Sequence, residues 1–268
     1  MRQFVRRLTD ENNMNQCIMM NSMYHNLLNK KLIFSAILII IITPTNFSQV
    51  IKPIDKKKPY VCSVQKEKII YTESFKSDLA NWKTEFEKPE TSSIKIIDGK
   101  LDVSASGGAT VWFKPKLSGN IMIIYDVTVL DKGGKNDRVS DLNAFWMATD
   151  PANEKEIIRD GKFSSYDNLN LYYAGVGGHY NKYTRFRKYS SDGNKPVLKE
   201  FTDAAHLLTG NTEYQVKIIV HNGLVRYFIN DELYWELKDE APYTEGYFGF
   251  RTTMSHQQFD NFMVFGIE

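Results

Sequence analysis

The sequence predicts an all-β protein, a two-sheet antiparallel sandwich, on three observations. Apolar and polar residues alternate with a period of two through many short runs, the pattern of strands with one buried face. Turn signals separate these runs at intervals of about eight to twelve residues. Aromatic residues make up 13% of the chain, which suits a core pressed between two sheets. No repeat of fixed period is present, and helical patterning is confined to one N-terminal segment.

The predicted elements follow in order from Ile69. IIYTESF opens, SIKIIDGKLDVSA reads as a hairpin around Asp98-Gly99, and ATVWFKP follows as a strand. NIMIIYDVTVL is a longer strand rich in β-branched residues, which fit a pleated surface. SDLNAFWMATD is the next strand, and LNLYYAG pairs with YTRFRKY as its return. EYQVKIIVHNGLVRYFINDELYWEL holds two turn signals, His221-Asn222-Gly223 and Asn230-Asp231, and so reads as a three-stranded meander. GYFGFRTTMS and QFDNFMVFGI close the chain.

The segment before these strands has a different character. Lys30-Lys31 precede an apolar run of eleven residues, Leu32 to Ile42, followed by TPTNFSQ. A positive flank, a short apolar core and small polar residues predict a secretory signal peptide over residues 1–48, cleaved after Ser48. Eleven residues rise only about 16 Å as a helix, short of a hydrocarbon core of about 30 Å. The product is therefore expected to be secreted or periplasmic, with no stable membrane span after cleavage. Residues 49–68, with two prolines and six lysines, read as a linker, and 69–268 as one domain. Cys62 would be the single cysteine after cleavage, so no disulfide framework is expected.

The charge balance excludes one class of partner. The whole chain carries +2, of which residues 1–48 supply +3 through Arg2, Arg6, Arg7, Lys30 and Lys31 against Asp10 and Glu11. The remainder is near −1 (2 − 3), so the basic balance gives no motive for nucleic-acid binding.

Four separated stretches carry a resemblance. FWMATDP at 145–151, the LYYAGVGG hairpin, TRFRKY at 184–189 and GYFGFRTTMSHQQFDNF at 246–262 resemble, in the same order, a family of secreted bacterial jelly-roll proteins related to the YesU group. The resemblance implies a concanavalin-A-like jelly-roll sandwich over about residues 69–268. It also implies a polysaccharide-degradation context, without an established reaction. The expected partner is a polysaccharide or oligosaccharide.

Strand alternation then selects candidate residues. Tyr183, Arg185, Arg187 and Tyr189 share one face of YTRFRKY. Asn170 and Tyr172 oppose Leu169, Leu171 and Tyr173. Asn143, Phe145 and Met147 oppose Leu142, Ala144 and Trp146, and Tyr247 and Arg251 oppose Phe248 and Phe250. A polar-aromatic face thus recurs on several strands. Arg185, Arg187, Tyr172, Asn143, Arg251 and Gln257 are the candidate substrate-binding residues, because guanidinium forks suit carboxylates and aromatic planes suit sugar faces.

The leading expectation is a lyase acting on a uronate-containing polysaccharide, with a non-catalytic glycan-binding module as the alternative and a structural or accessory role as the third class. Lyase chemistry on a uronate needs a neutralising cation, a base and an acid, roles that fall to Arg185 or Arg187, to His179 or His256, and to Tyr180 or Tyr183. Paired-carboxylate hydrolysis is disfavoured: the E-x-D-x-E pattern along one strand is missing, and Glu232 and Glu236, which share a strand face, sit beside the Asn230-Asp231 turn and read as a solvated hairpin. Gly175 to Gly178 lacks both the spacing and the helix of a phosphate loop. No cofactor is required by this chemistry and no transition-metal cluster is expected; Asp260-Asn261 reads first as a turn contact of the closing strand, with a structural calcium there as the alternative.

Overall fold

Three of the turn signals close β-hairpins with left-handed backbone at the turn. Asp98-Gly99, Asn222-Gly223 and Asn230-Asp231 all have positive φ, which matches the twist of the flanking strands. The computed structural model describes residues 67–268. The signal segment 1–48 and linker residues 49–66 lie outside the described residues, whereas Glu67 and Lys68 already belong to the first strand.

Thirteen strands occur among the described residues. They are β1 (Glu67–Glu73), β2 (Trp82–Phe86), β3 (Ser93–Ile97), β4 (Lys100–Ser118), β5 (Ile121–Val129), β6 (Leu142–Thr149), β7 (Asn170–Gly177), β8 (Tyr183–Tyr189), β9 (Val197–Phe201), β10 (Glu213–His221), β11 (Leu224–Ile229), β12 (Glu232–Lys238) and β13 (Glu245–Ile267). All pairings are antiparallel, and the main path runs β12-β11-β10-β5-β13-β6-β7-β8-β9.

The two expected closing strands are one strand of 23 residues, β13. Its first part pairs with β6 through Tyr247–Arg251, and its second pairs with β5 through Gln257–Gly266. Register shifts at Thr253/Ser255 and Asp260/Met263 bend it from one layer of the sandwich to the other. β4 is likewise continuous over 19 residues, where the sequence suggested a break. Short β2 and β9 have no signature of their own and form by pairing with β4 and β8.

The core between the layers is aromatic. Trp146 on β6 is fully buried and stacks with Tyr172, Phe186 and, across the layers, Tyr227 at 5.8, 5.9 and 6.0 Å. Trp82 stacks on Phe250 at 5.2 Å, and Phe250 on Phe259 at 4.0 Å.

A second apolar cluster lies on the outer face of the β4-β13-β6-β7-β8 layer. Trp112, Phe145, Leu171, Tyr173 and Tyr189 on this face are covered by Ile157, Tyr166 and Leu169 from the segment joining β6 to β7. That segment is tied down by Glu85. The Glu85 carboxylate accepts hydrogen bonds from Trp112 Nε1 at 2.8 Å, the Tyr166 hydroxyl at 2.8 Å and the Arg159 backbone N–H at 2.7 Å. Arg159 is in turn paired with buried Asp150 at 2.8 Å.

Candidate functional site

Strand register places the candidate residues in two rows across the outer face. Thr110, Arg251, Asn143, Gly175, Arg185 and Glu200 are successive neighbours from β4 to β9. The adjacent row runs Trp112, Gly249, Phe145, Tyr173 and Arg187. Arg185, Arg187, Asn143 and Arg251 therefore share one face, as expected from alternation.

Tyr172 does not share it. It pairs with Trp146 and Lys188 and faces the inter-layer core, and its hydroxyl donates to Asp239 at 2.5 Å. Tyr173 occupies the outer face instead. The correction has a physical cause: both faces of β7 are buried, one by the second layer and one by the 150–169 segment, so hydrophobicity does not distinguish Leu171 and Tyr173 from core residues. Met147 is corrected for a related reason. Its φ of +50° and the register shift between Trp146 and Thr149 turn it into the inter-layer core.

Arg251, Asn143 and Gln257 are also corrected, because all three are buried beneath the surface. The Arg251 guanidinium is 1% exposed; it donates to Gly161 O at 2.6 Å and Thr110 Oγ1 at 3.2 Å. Phe163 and Tyr166 lie over it at 5.5 and 5.3 Å. The Gly161 approach needs a residue without Cβ: its φ is +81°, and a Cβ there would sit 2.3 Å from the Glu87 nitrogen. Burial lowers the Arg251 pKa against the nearby Tyr166, Tyr173 and Asp141. Gln257 donates to Ser140 O and Asp141 O and so holds the backbone leading into β6.

His256 is corrected as a candidate base. Its Nε2 lies 3.0 and 2.9 Å from the two Asp102 carboxylate oxygens, and its Nδ1 lies 2.8 Å from Asp137 Oδ1. Ionised carboxylates only accept hydrogen bonds, so both ring nitrogens are engaged as donors to acidic partners when the ring is protonated, and neither is aimed at a substrate. The hydrogen bond to Asp102 raises the His256 pKa; burial opposes it, and Asp137 adds to the rise.

The remaining candidates meet at the β7–β8 hairpin tip. His179, Tyr180 and Asn181 all have left-handed backbone, with φ of 52°, 61° and 58°. Three successive L-residues in this region are strained by about 1–2 kcal/mol each, and the surrounding bonds hold them there. Lys182 N donates to Gly178 O at 2.9 Å. The Asn181 amide clasps Leu208, donating to its carbonyl at 2.8 Å and accepting from its N–H at 2.9 Å. Asn181→Ala loses both bonds and the side chain best suited to this backbone. It is expected to cost about 2 kcal/mol, read as a shifted urea midpoint together with faster hydrogen exchange at 178–182.

This turn displays a line of planar groups. The Arg138 guanidinium lies 4.5 Å from the Tyr180 ring, and Tyr180 lies 5.8 Å from His179. His179 lies 6.1 Å from Tyr183 with planes 9° from parallel, and the Arg185 guanidinium sits 3.7 Å over the Tyr183 ring. Asp141 pairs with Arg138 at 2.9 Å, and Glu200 pairs with Arg185. Tyr180 is 61% exposed. Arg187 stands apart from the line, donating to Lys195 O.

Beneath the line lie Asp141 and Tyr173. Burial pushes the Asp141 carboxyl up, against Ser140, Arg138 and Asn143, which pull it down. Burial also raises the Tyr173 phenol well above its ordinary value, so it stays a neutral donor. Arg138, Asp141 and Tyr173 were not singled out from the sequence. Arg138 and Asp141 sit in a polar loop with no pattern to mark them; for Tyr173 the signal was the neighbouring tyrosine, one residue out of register.

Among the described residues, no group of three or more His, Cys, Asp or Glu side chains is placed to hold a metal ion. Asp260 and Asn261 occupy a bulge where Asn261 Nδ2 donates to Asp126 at 2.7 Å.

The fold has many relatives among solved structures. A protein of unknown function with a galectin-like fold from Bacillus subtilis is 19% identical, with a TM-score of 0.62 over 76% of this chain and 98% of that chain. The exoplasmic/lumenal domain of VIP36, in its Ca²⁺/Man3GlcNAc-bound form, is 11% identical at a TM-score of 0.55, covering 74% of this chain and 88% of that one. An endo-β-1,3-glucanase from Pyrococcus furiosus is 9% identical at 0.53, covering 75% and 95%. At these identities the likeness establishes the fold alone, an antiparallel two-layer sandwich of jelly-roll type. No curated protein matches the chain. A family profile does match, over residues 103–262, from within β4 to the second bend of β13, and so takes in both the hairpin tip and the loop bearing Arg138: the chain belongs to the family described as a domain of unknown function, DUF6250.

Proposed function

We propose that the β7–β8 end of the outer face binds a saccharide, with Arg138, Tyr180, His179, Tyr183 and Arg185 as the contact surface. The observation that carries this reading is the line of adjoining planar groups, edge-on between Tyr180 and His179 and stacked between His179 and Tyr183, on a strained, tightly held turn. Aromatic planes pack against the C–H faces of sugar rings, and guanidinium forks match carboxylates and paired hydroxyls. A tyrosine as exposed as Tyr180 is stabilised by a partner that covers it. The saccharide in the VIP36 structure and the glucan substrate in the name of the Pyrococcus enzyme are in keeping with such a ligand. A secreted or periplasmic protein would meet it outside the cell, and among the described residues no helix is long and apolar enough to cross a membrane.

A second reading, β-elimination on a uronate polysaccharide, is favoured by the order of groups along the line. His179 as base would take the C5 proton, the C4–O bond would break with its electron pair leaving on oxygen, and Tyr183 or Tyr180 would protonate that oxygen. The product carries a C4=C5 double bond, and Arg185 would neutralise the carboxylate through the transition state.

Affinity gel electrophoresis against polygalacturonate, alginate, ulvan, a glycosaminoglycan, mannan and β-1,3-glucan tests the first reading. The wild type is expected to be retarded by at least one polymer, and Tyr183→Ala to weaken that retardation about tenfold. Free migration in every gel overturns saccharide binding. Ultraviolet absorbance of an unsaturated product, measured in parallel, would move the assignment to the lyase.

A further inference from the structure

The loop between β5 and β6, residues 130–141, brings Arg138 and Asp141 to the candidate site, and β13 clasps it at several points. Leu130 N donates to His256 O at 2.8 Å, Ser255 Oγ to Arg138 O at 2.9 Å, and Arg138 Nη2 to Thr253 O at 2.5 Å. The loop's own brace is Asp137, whose carboxylate accepts from Lys132 N at 2.8 Å and Gly134 N at 3.0 Å. Asp137 is also the loop's link to His256, at 2.8 Å. The ring's other nitrogen is held by Asp102 on β4, which Gln258 also contacts at 2.8 Å.

We propose that the His256 imidazolium, clamped between Asp102 and Asp137, is the latch that holds loop 130–141 against β13 and so keeps Arg138 stacked on Tyr180 in the site. His256 is a positioning residue that acts through the loop. The inference rests on the saccharide reading for its ligand-binding consequence, but the latch itself is a property of the loop.

The latch needs both protons on the ring. Remove one, and a nitrogen lone pair faces a carboxylate lone pair at hydrogen-bond distance. Asp137 is the partner that yields, since Asp102 sits on a strand and keeps its bond from Gln258. The charged groups around the ring are Asp102 on β4 and Asp137 in the loop, with Lys95 on β3 acting on Asp102.

The signs define a window. The folded His256 pKa is raised, so its contribution is complete below the ordinary histidine value of about 6.5 and is lost as pH rises through the folded value. Burial works to raise both carboxyls, but for Asp102 the His256 and Gln258 bonds outweigh it. For Asp137 the Lys132, His256 and Gly134 bonds do so, and both pKa values end lowered. Their contribution is present above the ordinary carboxylate value of about 4 and is lost as pH falls through the folded values. The latch is closed between these limits and opens on the alkaline side through His256.

Two measurements on the full chain test this. Hydrogen-exchange protection of amides 130–141, corrected for intrinsic rates, is followed from about pH 5 to 9 in the wild type, His256→Gln and Asp137→Asn. Binding of polygalacturonate is followed over the same range. The wild type is expected to lose loop protection and to bind at least fivefold more weakly at the alkaline end, a typical lower bound for coupled sites. Both variants should show low protection and weak binding at every pH. Equal protection in all three proteins across the range overturns the latch. A loop that opens while polygalacturonate binding stays constant overturns the link to the site. If the wild type binds no polygalacturonate at any pH, the saccharide reading fails for that ligand, and exchange alone decides the latch. Asp137→Asn leaves the Asp102 pair intact, so it discriminates between these outcomes even where His256→Gln does not fold.

Discussion

Glu85→Ala is expected to lower the unfolding free energy by about 3–5 kcal/mol. The carboxylate is 5% exposed and satisfies three donors at once: the Trp112 indole, the Tyr166 hydroxyl and the Arg159 backbone N–H. Truncation leaves all three unpaired in an apolar setting, at about 1–3 kcal/mol each before relaxation. The loss should be local before it is global, because two of these donors belong to the segment that covers the outer face. Limited proteolysis should therefore cut within 150–169 under conditions where the wild type is resistant, and a urea melt should show the lowered midpoint. Glu85→Gln keeps the volume but replaces an acceptor by an N–H₂ donor, so an intermediate loss is expected. A Glu85→Ala protein within about 1 kcal/mol of the wild type would show that the aromatic cluster alone holds the segment.

Trp146→Ala should cost about 3–5 kcal/mol, the range for deleting a large aromatic from a packed core. Its ring is fully buried among Tyr172, Phe186 and Tyr227, and so joins β6, β7 and β8 to β11 in the opposite layer. Trp146→Phe makes a sharper comparison. The Trp146 Nε1 group has no hydrogen-bond partner among the described residues, and phenylalanine removes that desolvated donor while keeping most of the stacking. Its cost should stay below about 1.5 kcal/mol, despite the lost volume. Chemical denaturation of the two variants reads the difference. Equal losses would mean that ring volume, not the stack, sets the stability of this joint.

Saccharide binding should respond differently to the two substitutions. Trp146 lies under Phe186 on β8, the strand that also carries Tyr183 and Arg185, so its loss loosens the whole hairpin. Glu85 lies far along the face from the tip, beside Trp112, so its loss should leave the line from Arg138 to Arg185 in place. A Glu85→Ala protein that is destabilised yet binds like the wild type when folded would separate the cover from the contact surface.

Much of the architecture was legible in local pattern. Alternation, β-branched runs and the Asp-Gly, Asn-Gly and Asn-Asp turns act over a few residues, so the sequence by itself determined the all-β class, the hairpins and the face shared by Arg185, Arg187, Asn143 and Arg251. It also marked His179, Tyr180 and Tyr183 as a cluster, since they lie within five residues of one another. The tertiary structure decided the rest. Period-two reasoning assumes one buried face, and the 150–169 segment buries the second, which is why Tyr172 and Tyr173 exchange sides and why Arg251 lies out of a ligand's reach; Gln257 is buried instead against the loop backbone at Ser140 and Asp141. The partners of His256 stand 154 and 119 positions away in the chain, and Arg138, besides its local pair with Asp141, reaches Tyr180 on the hairpin tip and Thr253 on β13. No local pattern encodes such separations: they arise only when a bent strand carries residues from one layer to the other and brings a polar loop against them.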